Sequence, residues 1–373
     1  MIFKGIIHKG DIKSRMWVAH SDRRFRWHIQ NSSAIFSPLF FLQIIVRYHY
    51  IPDFFVIRYL NDYPSFIKSA LRLLSECSLI ILCKVFRVRI FWLCHNIDKE
   101  TESNFPTLIK LRRMMFLQMS DAYFVTDPLL EDVFREYFNL SSKSVRASTF
   151  GRVKAKELSE ANYRPSLTEE SAIEFITRQK DIAKQTGYKV LVTLCAGTLN
   201  GESVNKFIHF DYLPALIENA YKHNFVVIAL VAGNWNLHFP EIKKLDETYN
   251  KYPEHILNFK QYVKFEDRFV KDYVDFYFRG YTDYSVPFTV YEACTFEKPV
   301  ICLNTGFLPR LVSSNQIGEV IDMDFENIKS VLQRMTNNKC SYFFEEFLKS
   351  HTWETFSNNI AQEFQAKQHT GPD

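Results

Sequence analysis

Asp275-Phe276-Tyr277-Phe278-Arg279-Gly280-Tyr281-Thr282-Asp283-Tyr284-Ser285-Val286-Pro287-Phe288-Thr289-Val290-Tyr291-Glu292-Ala293-Cys294-Thr295-Phe296-Glu297-Lys298-Pro299-Val300-Ile301 has the pattern strand, loop, helix, tight turn, strand. A helix beginning near Val286 sets Ser285, Thr289 and Glu292 at i, i+4 and i+7 on one face. Val286, Val290 and Ala293 then fall on the neighbouring face and pack on a sheet. The amino-terminal end of such a helix offers backbone N–H groups and two hydroxyls, a favourable place for a diphosphate. Glu292 lies one to two turns further in and suits the paired hydroxyls of a ribose. Its carboxylate repels phosphate, so it belongs beside a nucleoside.

Outward from this stretch the chain alternates strands with helices, the sign of parallel sheets with right-handed crossovers. Upstream, Lys189–Leu194 and Phe225–Val231 are strands, with helices near Tyr212–Lys222 and Glu241–Lys251. In the first half, strands are expected at Phe54–Tyr59, Val88–Leu93 and Ala122–Val125. Helices are expected at about Pro64–Phe86 and Phe105–Met119, and from Asp127-Pro128 onward. A polar segment from about Gly151 to Thr186 separates the halves. The expected organisation is therefore α/β: two Rossmann-like domains, 1–170 and 171–350, facing each other across a cleft, then a terminal segment 351–373.

The 373 residues are 47% hydrophobic and 24% charged, enough apolar material for two cores. Seven scattered cysteines form no metal-ligand spacing, and five sit in apolar runs; reduced, buried thiols of a cytosolic protein are expected. No secretory signal is expected from a start in which charges follow Phe3 at once. The most apolar stretches, Ile35–Val46 and Cys77–Cys94, are respectively too short and too charged to span a bilayer, and are expected as buried elements. Residues 1–150 hold 21 Lys and Arg against 13 Asp and Glu, while the remainder holds 25 against 29. This basic first half suits an anionic acceptor or an acidic surface. Its charges are dispersed without a reader motif, so nucleic acid is not an expected partner.

Ser285–Ile301 resembles the carboxyl-terminal domain of the family-4 glycosyltransferases, which have the GT-B fold. The hallmark of that family is Glu-x7-Glu on one helix, often followed by Ala, a small-residue turn and Pro-Val-Ile. The resemblance implies that Glu292 holds the ribose of a nucleotide sugar, with Thr289 and Ser285 contacting phosphate. The family's first glutamate falls on Tyr284 here, with Asp283 one residue away as a substitute near the donor sugar. Thr305-Gly306-Phe307-Leu308-Pro309-Arg310 resembles the family's glycine turn, with Arg310 in place of an acidic residue. Trp353 stands where many members open a last helix that braces the first domain.

The family's phosphate-binding Arg and Lys normally follow the first strand of the second domain. That region contains Gly197, Thr198, Gly201 and Lys206, with Thr198 where Arg is expected. Gly197 suits a close backbone approach to a ligand. Arg279, Lys260 and Arg310 are the candidates for neutralising the diphosphate. In the first domain, Phe91-Trp92-Leu93-Cys94-His95-Asn96 ends a strand on a histidine, which the resemblance places near the donor sugar. Asp127 is a helix cap rather than a ligand, and Asn61-Asp62 is a weaker acceptor-side pair.

The resemblance thus implies transfer of a sugar from a UDP- or GDP-sugar to an acceptor hydroxyl, with retention, without a bound metal and with no cofactor beyond the donor. The acceptor expected for a basic, aromatic first domain is a glycan or a lipid-linked intermediate at the inner face of the cell membrane. Two other readings stay open: a nucleotide-sugar epimerase on the same fold, and a degenerate, non-catalytic partner.

Overall fold

The computed structural model describes residues 2–98, 104–140, 143–153, 163–197, 209–337 and 341–369. The chain divides into two compact units, Met1–Gly151 with His351–Asp373, and Arg152–Ser350.

The first unit is a six-stranded parallel sheet: β1 (Phe3–His8), β2 (Phe25–Gln30), β3 (Phe54–Arg58), β4 (Arg89–Cys94), β5 (Ala122–Val125) and β6 (Ser144–Ala147), in the order β2-β1-β3-β4-β5-β6. The second is likewise parallel: β7 (Lys189–Ala196), β8 (Phe225–Ala232), β9 (Ile256–Asn258), β10 (Phe276–Arg279), β11 (Val300–Leu303) and β12 (Gly318–Ile321), in the order β12-β11-β10-β7-β8-β9. Helices cover both faces of a parallel sheet, so its strands become continuous apolar runs. All eight residues of β8, Phe-Val-Val-Ile-Ala-Leu-Val-Ala, are buried.

Each sheet reverses its direction of growth once. The chain leaves β1 for β2 on one side and then returns past it to β3; it leaves β7 for β8 and β9, then returns to β10. Right-handed crossovers put the helix Ile12–Ala19 on one face of the first sheet. They put Ser37–Tyr48, Phe66–Val85 and Pro106–Met119 side by side on the other. The last helix, Glu354–His369, packs within the first unit: Phe356 and Phe364 lie against Trp17, Phe54 and Phe91. Trp353 is 3% exposed among Trp17 and Phe150, a packing residue.

Two expectations need correction here. Ile35–Val46 lies mostly in a helix, and Cys77–Cys94 ends a second helix and runs into β4, yet the side chains of the two helices are not all buried. On Ser37–Tyr48, Leu39, Leu42 and Val46 face solvent, while Phe41 and Ile44 face the sheet. On Phe66–Val85, Ile67, Leu71, Leu74, Ile81 and Val85 form an exposed stripe at helical spacing, opposite buried Arg72, Glu76, Leu79 and Cys83. The second correction is Asp62. It is buried and accepts from Asn104 N at 2.9 Å and Phe105 N at 2.5 Å, so it secures the start of the Pro106–Met119 helix rather than binding an acceptor.

Candidate functional site

The reversal between β7 and β10 opens a crevice at their carboxyl ends, the position where open α/β sheets bind ligands. β7 and β8 are paired over eight residues, but β7 and β10 only at Phe276–Thr193 and Tyr277–Leu194. Beyond that point the ladder is replaced by side chains. Phe278 N donates to Thr193 Oγ1 at 3.1 Å, and the Leu194 carbonyl accepts from Arg279 Nη1 at 3.2 Å. Arg279 ends β10 with no exposed surface. Its Nε donates to Thr289 Oγ1 at 2.8 Å and its Nη1 to Phe278 O at 2.8 Å, while Nη2 is buried without a partner among the described residues. A buried guanidinium with a spare donor is uncommon and marks a place for an acceptor.

The helix after this strand is Phe288–Thr295, two residues shorter at its start than expected. Pro287 is its N-cap in extended backbone, and no side chain caps it. Thr289 and Glu292 share one helix face at i and i+3, beside Arg279. Thr289 Oγ1 accepts from Arg279, which leaves the hydroxyl proton free to donate to an anion. Glu292 is half-buried. Burial pushes its carboxyl upward; the Arg279 charge pulls against this, Asp267 reinforces it, and Lys264 and the Tyr277 hydroxyl oppose it, with a net rise from 4.5. The Tyr277 hydroxyl beside it is itself buried, with no partner in hydrogen-bond geometry among the described residues.

Gly197, directly after β7, completes this end of the sheet. Its carbonyl lies against Gly233, where a Cβ would stand 1.6 Å from the oxygen, so β8 ends in backbone packed too tightly for a side chain. Thr198, Gly201 and Lys206 lie outside the described residues.

Ser285, Asp283 and Lys260 are placed differently from expectation. Ser285 precedes the helix, is buried, and donates to Asp283 Oδ1 at 2.7 Å, so its hydroxyl is not on the face of Thr289 and Glu292. Asp283 is fully buried, and its carbonyl accepts from Phe307 N at 3.3 Å. That backbone bond ties its loop to the turn at Gly306. That turn requires glycine: φ is +69°, and a Cβ would meet Thr282 C at 2.7 Å. Tyr284, at the first-glutamate position of the resemblance, is exposed. Lys260 lies beyond β9, with β7 and β8 between it and β10, and its ammonium is 2.8 Å from Asp246. Arg310 is an exposed residue of the Leu308–Asn315 helix. A cavity of about 440 Å³ near Asp275, Lys298 and Tyr342 opens at the other end of the strands and plays no part in this constellation.

The first unit carries a second polar cluster, at its own reversal between β1 and β3. Arg58 ends β3 fully buried, paired with Asp11 at 2.8 Å. Its Nε donates to His95 Nε2 at 3.1 Å and its Nη2 to the Tyr59 hydroxyl at 3.0 Å; the His95 ring stacks on Tyr59 at 4.3 Å. The Tyr59 hydroxyl donates to Asp11 at 3.1 Å. Burial pushes the Asp11 carboxyl up, but the charge and hydrogen bonds of Arg58, with the Ser14 amide, outweigh it and hold it at about 2. Because Arg58 donates to Nε2, the imidazole must be neutral with its proton on Nδ1. Arg58→Lys keeps the cation but loses this donor. The ¹⁵N signals of the His95 imidazole will report the loss of this partner at Nε2.

Asp127 is not the helix cap expected, since Leu129 is the N-cap of Leu130–Tyr137 and no side chain caps it. Asp127 instead forms the turn before that helix, accepting from Leu129 N at 2.8 Å, and lies 3.0 Å from His351 Nε2. The sequence reading missed Arg58, Asp11, Tyr59 and Lys264. A signal existed for Arg58. Phe-Phe-Val-Ile-Arg of β3 and Phe-Tyr-Phe-Arg of β10 are both apolar strands closing on an arginine. No sequence pattern marks Lys264.

No protein-family description matches the sequence, and no curated protein resembles it significantly. The structure, however, is similar to many solved ones. HepE from Anabaena, in complex with UDP and glucose, matches with a TM-score of 0.57 at 10% identity, over 98% of this chain and 100% of that one. Sucrose-phosphate synthase from Thermosynechococcus elongatus matches at 0.61 and 12%, over the whole of both chains. A UDP-N-acetylglucosamine 2-epimerase from Listeria monocytogenes matches at 0.55 and 11%, over 100% of this chain and 98% of that one. At such identities the likeness is one of fold, and with two six-stranded parallel sheets flanked by helices the chain has the GT-B fold.

Proposed function

We propose that this protein is a glycosyltransferase that moves a sugar from a UDP- or GDP-sugar to an acceptor hydroxyl. The observation that carries the reading is the group Arg279, Thr289 and Glu292 at the β7–β10 reversal, where a carboxylate and a buried spare guanidinium donor stand side by side. Glu292 accepts the two ribose hydroxyls. The open amino-terminal end of the Phe288–Thr295 helix and the Thr289 hydroxyl bind the diphosphate. Arg279, shielded from water, supplies positive potential for the charge that grows on the departing diphosphate. His95 of the first unit is taken from the family-4 resemblance as the residue that acts on the donor sugar. As in the family-4 resemblance, transfer proceeds with retention, without a metal and with no cofactor beyond the donor. The neighbours solved with UDP and UDP-glucose support the choice of donor class.

The buried state of Asp283 and the tyrosine at 284 favour one second reading, a nucleotide-binding chain without turnover. Melting temperature in the presence of UDP, GDP and their sugars tests the donor site. A ligand at a hundred times its Kd will add about 2.7 kcal/mol of stability. Absence of a response to every nucleotide overturns the reading. Product formation from the stabilising donor, and its loss in His95→Ala with the melting response retained, separates transfer from binding alone.

A further inference from the structure

Three helices lie side by side on one face of the first sheet, and their outer surface is apolar. Leu39, Leu42 and Val46 belong to the first of them. Ile67 through Val85 form a stripe about 27 Å long on the second at 1.5 Å per residue, and Leu111 and Met114 extend it onto the third. Val46, Ile67 and Val85 are each at least 70% exposed. Isolated surface leucines need no explanation, but a continuous apolar face on neighbouring helices does.

The charges on these helices decide what covers it. Their exposed charged residues are Arg47, Lys68, Lys84 and Lys110, all basic. Their sole acidic residue, Glu76, is buried between Arg72 and Arg112. A second copy docking by a two-fold axis would set this basic rim against itself. A bilayer containing anionic lipid satisfies both features at once: acyl chains receive the leucines and isoleucines, and headgroups receive the lysines. No helix among the described residues is long and apolar enough to cross a membrane, so such contact lies along the surface.

We infer that the outer face of the helices Ser37–Tyr48, Phe66–Val85 and Pro106–Met119 docks on an anionic lipid surface. This identifies where the chain works, and it stands apart from the nucleotide site in the second unit.

Sedimentation of the full chain with vesicles tests it. Vesicles of phosphatidylcholine mixed with phosphatidylglycerol will bind the protein at least about tenfold better than phosphatidylcholine alone, and added salt will weaken the binding. Leu71→Glu with Leu74→Glu alters two exposed positions and will lower binding about tenfold or more. Lys68→Glu with Lys110→Glu will lower it by roughly thirtyfold, from about fivefold for each basic residue lost. Both variants will keep the wild-type melting response to UDP, so failure here is distinguishable from failure of the donor-site reading. Equal binding to both vesicle types, no binding, or unchanged binding in both variants overturns the inference. So does a wild-type dimer that the Leu71→Glu, Leu74→Glu variant breaks without any loss of vesicle binding.

Discussion

Replacing Glu76 by glutamine will cost the first unit about 3–5 kcal/mol of folding stability, the usual penalty for breaking a buried ion pair from one side. Glu76 is 3% exposed and is gripped by two arginines. Arg112 Nε and Nη2 lie 2.6 and 2.7 Å from its oxygens, and Arg72 Nε lies at 3.0 Å. Without the carboxylate, two like charges share one dry site. The arginines also hold the backbone after β3: Arg72 donates to the carbonyls of Tyr59 and Asn61, and Arg112 to that of Leu60. These are the residues that place Tyr59, with φ of +50°, against His95. The melting transition of the first unit will fall by roughly 10 °C. Arg72→Met, Glu76→Leu and Arg112→Met together will recover most of it, because an apolar cluster of similar volume removes the unpaired charge. A loss under about 1 kcal/mol for Glu76→Gln would show that the two guanidinium groups regain water, against the burial described here.

The pH dependence has a definite sign. Burial pushes the Glu76 carboxyl up, but the charges and hydrogen bonds of Arg112 and Arg72 prevail and hold it below 4.5. A carboxyl depressed on folding contributes stability that is fully present above 4.5 and is lost as pH falls through the folded value. Acid unfolding of the wild type will therefore show this contribution, and Glu76→Gln will lack it.

Glu292→Gln will weaken UDP binding by ten- to a hundredfold or more, the worth of a hydrogen bond to a charged group at about 1.5–3 kcal/mol. The same substitution will stabilise the free protein at neutral pH. Glu292 has the opposite linkage to Glu76, since its folded value is raised by burial. Its native state binds the proton more readily than the unfolded chain, so stability is greatest below 4.5 and declines as pH rises through the folded value. A glutamine carries no such burial penalty. Melting curves with and without UDP at several pH values will show a higher starting temperature and a smaller nucleotide response. A full wild-type response in Glu292→Gln would remove this residue from the ribose site.

Much of the fold was legible because parallel strands covered on both faces are continuous apolar runs. β5 was placed to the residue and β8 to within one. β1 and β2 escaped notice. Phe-Lys-Gly-Ile-Ile-His is interrupted by Lys4 and Gly5, and Phe-Arg-Trp-His-Ile-Gln mixes polar and apolar residues because β2 is an edge strand. The helix carrying Glu292 begins at Phe288 rather than Val286 for a local reason. Val286 precedes Pro287, and a residue before proline is pushed out of the helical region. This two-residue difference moved Ser285 off the binding face and into its bond with Asp283.

The sequence by itself determined the alternation of strand and helix, the parallel sheets that follow from it, and the placing of Glu292 on a helix after a strand. All of these depend on periodicity within a few tens of residues. Only the tertiary structure decided which charges meet. Arg58 reaches Asp11 and His95 across 47 and 37 residues, Lys260 is taken by Asp246, and Arg279 lies beneath Thr289. It also decided that one apolar side of three helices stays uncovered. An apolar stripe has the same spacing whether it meets a sheet or solvent, and a charge finds its partner only when strand order brings their ends together.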